Sequence, residues 1–236
     1  DDTVTKILEF EEPGKDRLGS QIDEHLGWTA QKADGTGPKK ALNVSLLVGK
    51  TEKDPRSTIR FFRTHQGNVG NLLTKVLENR SPKAGQLIFQ GDLSRANLPT
   101  EELQRKFSLA VAGCGAHARR PFWRFKDQDE DLCYFMLRGF LLLTRIEHLI
   151  DVKGRTSQNV LKIRKRYAQP TWQALYNRCQ ASLTGQMPNG APYPKGVRPL
   201  IWPPSSELYK ACNYVINHFQ ELTLYLQHSA LKYTNN

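Results

Sequence analysis

Apolar positions come in short runs through the first half of the chain and recur every three or four residues through the second. Val4 to Phe10 alternates loosely and is rich in β-formers, Leu42 to Val48 is apolar and stops at Lys50, and Thr58 to Thr64 sets Ile59, Phe61 and Phe62 among arginines. These three runs predict an antiparallel meander. Val69, Leu72, Leu73, Val76 and Leu77 then fall at helical spacing, ahead of a Ser-Pro-Lys-Ala-Gly turn at 81–85. Leu87-Ile88-Phe89 predicts a short buried strand ending at Gly91-Asp92. Pro99 to Glu102 predicts a helix start with Thr100 as cap and two acids in the first turn, and Leu109 to Val111 one more strand before Gly113. The expected order is β-β-β-α-β-α-β.

From about residue 128 the period is helical. Leu132, Phe135, Met136, Phe140, Leu143, Ile146 and Ile150 make one stripe, and Leu208, Ala211, Cys212, Val215, Phe219, Leu222 and Leu226 make another. A basic helix near 157–182 and a loop rich in Pro and Gly at 185–204 lie between them, and no internal repeat is visible. The expected architecture is an α/β domain over 1–127, a basic helical portion over 128–204 and a final helix over 205–236.

Composition narrows the setting. The longest apolar run, Leu132 to Leu143, is twelve residues and is broken by Arg138 and Gly139. A membrane span needs about 20 residues, so no membrane is expected as a partner. The first residues, Asp1-Asp2, lack the basic start of a secretory signal. Cys114, Cys133, Cys179 and Cys212 form no Cys-x-x-Cys, which suits a reducing compartment and a cytoplasmic setting. The formal charge is +11, and residues 151–200 hold nine Lys and Arg against the single Asp151. Such a block fits a polyanion, because clustered cations release counterions from a phosphate backbone; it equally fits a solvated helix face.

Three features bear on chemistry. Asp92 ends a predicted strand and Asp1-Asp2 precede another. If the first and fourth strands were neighbours, these acids would converge at one edge and share Mg²⁺, a hard cation that takes oxygen ligands. The plain alternative is that an Asp after a strand is a turn residue. Cys114-Gly-Ala-His117 has the spacing of half a zinc site, but no second pair stands at matching spacing. Arg119-Arg120 directly after it could grip phosphate. His117 is either a donor near a scissile phosphate or a satisfied buried imidazole. Trp123, Tyr167, Trp172 and Tyr176 interleave with cations and could stack bases or pack the core. Serine-hydrolase, phosphate-loop and dinucleotide glycine motifs are all missing from the sequence.

Several segments together resemble the insertion-sequence 66 type bacterial transposases. Asp1-Asp2-Thr3-Val4-Thr5-Lys6-Ile7-Leu8 is similar to the family's first-aspartate motif, and Gly91-Asp92-Leu93-Ser94-Arg95-Ala96-Asn97-Leu98-Pro99 to its second. Cys114-Gly115-Ala116-His117-Ala118-Arg119-Arg120-Pro121-Phe122 resembles its Cys-Trp-Ala-His-Ala-Arg-Arg-x-Phe signature, the most specific of the set. Tyr214-x-x-Asn217-His218-Phe219 with Leu222, then Leu231 to Asn236, resembles the helix and Asp-Asn-Asn that precede the family's catalytic Glu. Gly115 and Thr234 depart from that pattern, standing where the family has Trp and Asp. The family's Glu would be expected a few residues past Asn236, so the chain reads as a segment of a longer protein. None of Glu147, Glu207 and Glu221 follows an Asn-Asn.

The resemblance implies an RNase H-like mixed sheet with a helical insertion and metal-dependent DNA strand cleavage followed by strand transfer at transposon ends. Asp1 and Asp92 would be the catalytic ligands of Mg²⁺ or Mn²⁺, with Asp2 as the alternative to Asp1. His117, Arg119, Arg120, Lys162, Arg164, Lys165 and Arg166 would contact double-stranded DNA, and a homo-oligomer associated with the nucleoid is expected. The competing readings are a fragment that only binds DNA or itself, and another RNase H-fold nuclease.

Overall fold

The computed structural model describes residues 5–9, 41–50, 58–65, 69–78, 87–186 and 202–234. Three strands, β1 (Thr5–Glu9), β2 (Ala41–Lys50) and β3 (Thr58–His65), form an antiparallel meander in the order β1-β2-β3, as the three β-rich runs predict. Helix α1 (Val69–Glu78) follows. Strand β4 (Ile88–Gly91) crosses over through α2 (Glu101–Lys106) to β5 (Ala110–Gly113), and the two strands pair in parallel from Ile88↔Ala110 to Gly91↔Gly113. A parallel pair requires such a crossover. Leu77, Leu103 and Phe107 close a small apolar cluster beside it. Thr100 occupies the N-cap of α2, but its side chain makes no capping hydrogen bond.

One expectation is met in part: the fold is α/β, and a full RNase H-like sheet is not seen among the described residues. Among the described residues the strands form two separate ladders, one of three strands and one of two, and β1 does not pair with β4. A single RNase H-like mixed sheet is therefore not what these strands display. The alternation of strands and helices was local information, whereas sheet order depends on pairings between distant segments.

The helical half consists of α3 (Gly115–Arg124), α4 (Glu130–Lys153), α5 (Ser157–Ile163), α6 (Gln169–Thr184), α7 (Glu207–Asn217) and α8 (Phe219–Thr223). α4 starts where Asp129 Oδ1 accepts the Leu132 N–H at 2.9 Å and Glu130 and Asp131 meet the positive helix end. Its stripe of Leu132, Met136, Phe140, Leu143, Ile146 and Ile150 is buried, with α3, α5 and α6 packed against the helix, whereas Phe135 of the predicted stripe is 43% exposed. The helix stops at Gly154, whose φ of +86° suits glycine. A π-helical turn, Arg164–Ala168, joins α5 to α6 just before Pro170. Proline has no N–H to give the carbonyl four residues back, so the ordinary ladder is interrupted there.

Trp172 sits at the centre of the main core. It meets Phe140, Phe219 and Tyr233 edge-on at 5.9, 6.4 and 6.3 Å, and its Nε1 donates to the Tyr225 hydroxyl at 3.1 Å. Of the interleaved aromatics it is therefore a core residue, while Trp123 is 61% exposed. The last predicted stripe is one helical run in sequence but three pieces in space: α7, α8 and a 3-10 turn, Leu224–Leu226, with the break at His218.

Candidate active site at the strand ends

β4 and β5 are parallel, so their carboxyl ends lie side by side, and in open α/β units ligands bind outside those ends. Asp92 follows β4 directly. Cys114 follows β5, and α3 begins at Gly115, so His117 stands in the first turn of that helix. The Cys114 N–H donates to the Gly91 carbonyl at 2.9 Å and ties the two strand ends together.

The Asp92 carboxylate is divided between two tasks. Oδ1 accepts from Asn97 Nδ2 at 2.6 Å and from the Ser94 N–H at 3.3 Å. The Ser94 bond is the turn role of an Asp after a strand. Oδ2 faces His117 Nε2 at 4.0 Å, too far for a direct hydrogen bond. Both side chains remain partly open, at 26% and 20% exposure. Burial pushes the His117 pKa below its usual value, and the nearby Arg120 pushes it the same way, with Asp92 opposing. The His117 Nδ1 is buried without a hydrogen-bond partner among the described residues.

Tyr214 of α7 borders the same place. Burial raises its phenol to about 12, a hydrogen bond with the Leu93 backbone opposes this, and Asp92, Cys114 and Glu221 push it further up. Glu221 lies 3.8 Å from His218 Nδ1, and Leu222 packs against Gly113. The start of α8 therefore lies against β5 and close to the strand-end acid.

Asp92 Oδ2 is a hard oxygen donor in a half-open position, which fits one ligand of Mg²⁺ or Mn²⁺. Among the described residues no group of three His, Cys, Asp or Glu side chains gathers to hold a metal ion. Asp1 and its alternative Asp2 lie outside the described residues, so their meeting with Asp92 is not part of this geometry.

The basic residues divide. Arg119 and Arg120 are exposed on α3 next to His117, and Lys162, Lys165 and Arg166 are exposed along the rod formed by α5 and the π turn. The Arg166 guanidinium lies 5.3 Å from the Tyr167 ring centre. Arg164 does not belong with them: it is fully buried and ion-paired to Glu147 at 2.7 Å, so it is no surface contact for DNA. The signal was present in the sequence, because position 164 falls on the buried row Val160, Ala168, Trp172 at spacings of four. Asn97 and Tyr214 were not singled out as site residues. Both stand in segments that resemble the family's motifs, Asn97 in Gly91 to Pro99 and Tyr214 in Tyr214 to Phe219, which is the signal that could have found them.

No helix among the described residues is long and apolar enough to cross a membrane. No curated protein and no solved structure matches the chain. The family model described as "Transposase IS66 family" matches residues 31–236, a span that begins after Asp1-Asp2 and takes in Asp92, the Cys114 to Phe122 segment and the helical half. Since that match covers most of the chain, the protein belongs to the IS66 transposase family.

Proposed function

We propose that the strand ends around Asp92 are part of the catalytic site for DNA strand cleavage and strand transfer at transposon ends, with Asp92 and Asp1 as ligands of Mg²⁺ or Mn²⁺. The observation that carries this reading is the partly open Asp92 carboxylate, its Oδ2 set beside His117 at the carboxyl ends of two parallel strands in a chain of a transposase family. Such a metal, when bound, supplies charge stabilisation to the attacking and leaving oxygens of a phosphodiester. The chain's own residues would orient the substrate. His117 can donate a hydrogen bond to a phosphate oxygen, and Arg119 and Arg120 can neutralise adjacent phosphates. Asn97 holds the carboxylate by Oδ1 and leaves Oδ2 outward. Lys162, Lys165 and Arg166 would track the duplex as sequence-independent contacts, in a homo-oligomer assembled on DNA.

The test is cleavage of transposon-end duplex by the full-length protein and by Asp92→Ala, in Mg²⁺ and in Mn²⁺. Loss of cutting with retained DNA binding is expected. Cutting by the variant would remove Asp92 from the site. Salt-sensitive binding with no cutting by the unaltered protein would favour a DNA-binding role alone, and cutting without joined products would favour a nuclease.

A further inference from the structure

Arg164 opens the π turn and divides its donors between Glu147 and the segment after α8. Its Nε and Nη2 fork onto the two Glu147 oxygens at 2.7 and 2.8 Å. Nη1 donates to the carbonyls of Tyr225 at 2.6 Å and His228 at 3.0 Å, and Nη2 to that of Leu231 at 2.7 Å. The guanidinium also lies 4.8 Å from the Tyr225 ring centre. Arg155 places a second cation on Glu147 at 3.0 Å and reaches the Leu231 carbonyl at 3.5 Å. A planar fork with five N–H groups can do this, whereas an ammonium cannot. Three carbonyls of the segment after α8 are thus held by one side chain, and beyond Leu226 that segment has no regular structure of its own.

The same segment continues to the strand ends. Gln90 Nε2 donates to the Lys232 carbonyl at 2.5 Å, and the Gly115 N–H donates to the Tyr233 carbonyl at 3.0 Å. The Tyr233 ring, 4% exposed, covers Gly115 so closely that no Cβ fits between them. Gln90 stands two residues before Asp92 and Gly115 two residues before His117.

We propose that Arg164, forked onto Glu147, is a positioning residue for the Asp92 and His117 site: it holds residues 225–233 as a strap whose far end pins the end of β4 to the start of α3. Its functional consequence rests on the reading of Asp92 as a metal ligand; the strap itself does not. The Glu147 fork ties Arg164 to α4, and an ion pair serving only the bundle would stop there, yet all three carbonyls that Arg164 also binds belong to the strap.

The test uses the full chain and two variants that cut the strap at opposite ends. Arg164→Lys keeps the charge and loses the fork, and Tyr233→Ala leaves the fork and removes the ring. Amide hydrogen exchange by NMR reads the site end through the Cys114 and Gly115 N–H groups, and the bundle through Phe140 to Ile146. In each variant exchange at Cys114 and Gly115 rises at least about tenfold more than exchange at the α4 amides. Mn²⁺ affinity by calorimetry falls at least about fivefold in each, with no further fall in the double variant. Where Arg164→Lys does not fold, Glu147→Gln takes its place. Equal acceleration at α4 and at Gly115 overturns the proposal, as does unchanged protection at Gly115 or undiminished Mn²⁺ affinity with the strap released. Absence of Mn²⁺ binding by the unaltered chain overturns the metal reading of Asp92 and leaves the strap to be decided by the exchange data.

Discussion

Gly115→Ala probes the strand-end packing with one methyl group. A Cβ at that position would sit 1.9 Å from Tyr233 Cε2, 2.4 Å from Cζ and 2.6 Å from Cδ2. Carbon atoms settle at about 3.5–4.0 Å, so the ring or the backbone must move by roughly 1.5 Å or more. The backbone is held by the Cys114 and Gly115 N–H bonds to Gly91 and Tyr233 carbonyls, at 2.9 and 3.0 Å, so the ring is the part that yields. That ring is buried, 6.0 Å from Tyr225 and 6.3 Å from Trp172. Overpacking a core costs about 1–3 kcal/mol, and complete loss of a buried aromatic about 3–5 kcal/mol. The helix preference for Ala over Gly offsets at most about 1 kcal/mol, and less at the first helical position. The expected net is a loss of about 2 kcal/mol, measured as a lower urea midpoint at unchanged slope. In a Tyr233→Ala background the same substitution meets no ring, and becomes neutral or stabilising by up to about 1 kcal/mol. An equal loss in both backgrounds, or a loss below about 0.5 kcal/mol in the unaltered chain, would refute the reasoning.

Three further outcomes follow from the same geometry. Lys165→Ala and Arg166→Ala weaken binding to DNA of any sequence and reduce the logarithmic salt slope by about 1 each, whereas Arg164→Ala lowers stability by about 3–5 kcal/mol because it leaves Glu147 buried with less countercharge; urea titration and salt-dependent binding separate the two. Asn97→Ala removes the 2.6 Å bond that holds Asp92 and slows single-turnover cleavage by about 10-fold or more, with DNA affinity unchanged. Asp151 is lowered from 3.8: burial works against this, and the hydrogen bond from Arg155 and the charge of Lys232 outweigh it. A carboxylate lowered on folding contributes fully above its unfolded value, and its contribution disappears as pH falls through the folded one. Melting temperature should therefore decline with acid below pH 3.8, and the decline should be shallower in Asp151→Asn.

Much of the chain could be read directly. The β-rich runs at 58–64 and 87–89 lie within or across β3 and β4, and the stripe from Leu132 to Ile150 lies on α4, because such patterns express backbone preferences and the apolar face at short range. Asp92 was legible for the same reason, as an acid placed directly after a short apolar run, which the structure leaves half-buried up to Gly91. His117 was legible only as a residue in a motif, and its unpartnered Nδ1 depends on what packs over α3. The segment Lys162-Ile-Arg-Lys-Arg166 shows the limit best. Four cations stand in five residues, and one of them points inward because Val160 and Ala168 share its face and Glu147 waits 17 residues back on another helix.

The order of residues by itself determined where most of the described strands and helical stretches form, which face of the long helices is largely apolar, and where positive charge accumulates, since all three follow from neighbours within a few positions. Tertiary structure alone decided that the described strands form two ladders, that Arg164 is buried, and that residues 225–233 reach back to Gln90 and Gly115. A hydrogen-bonding group accepts any suitable partner, and which one it meets depends on how segments far apart along the chain pack together.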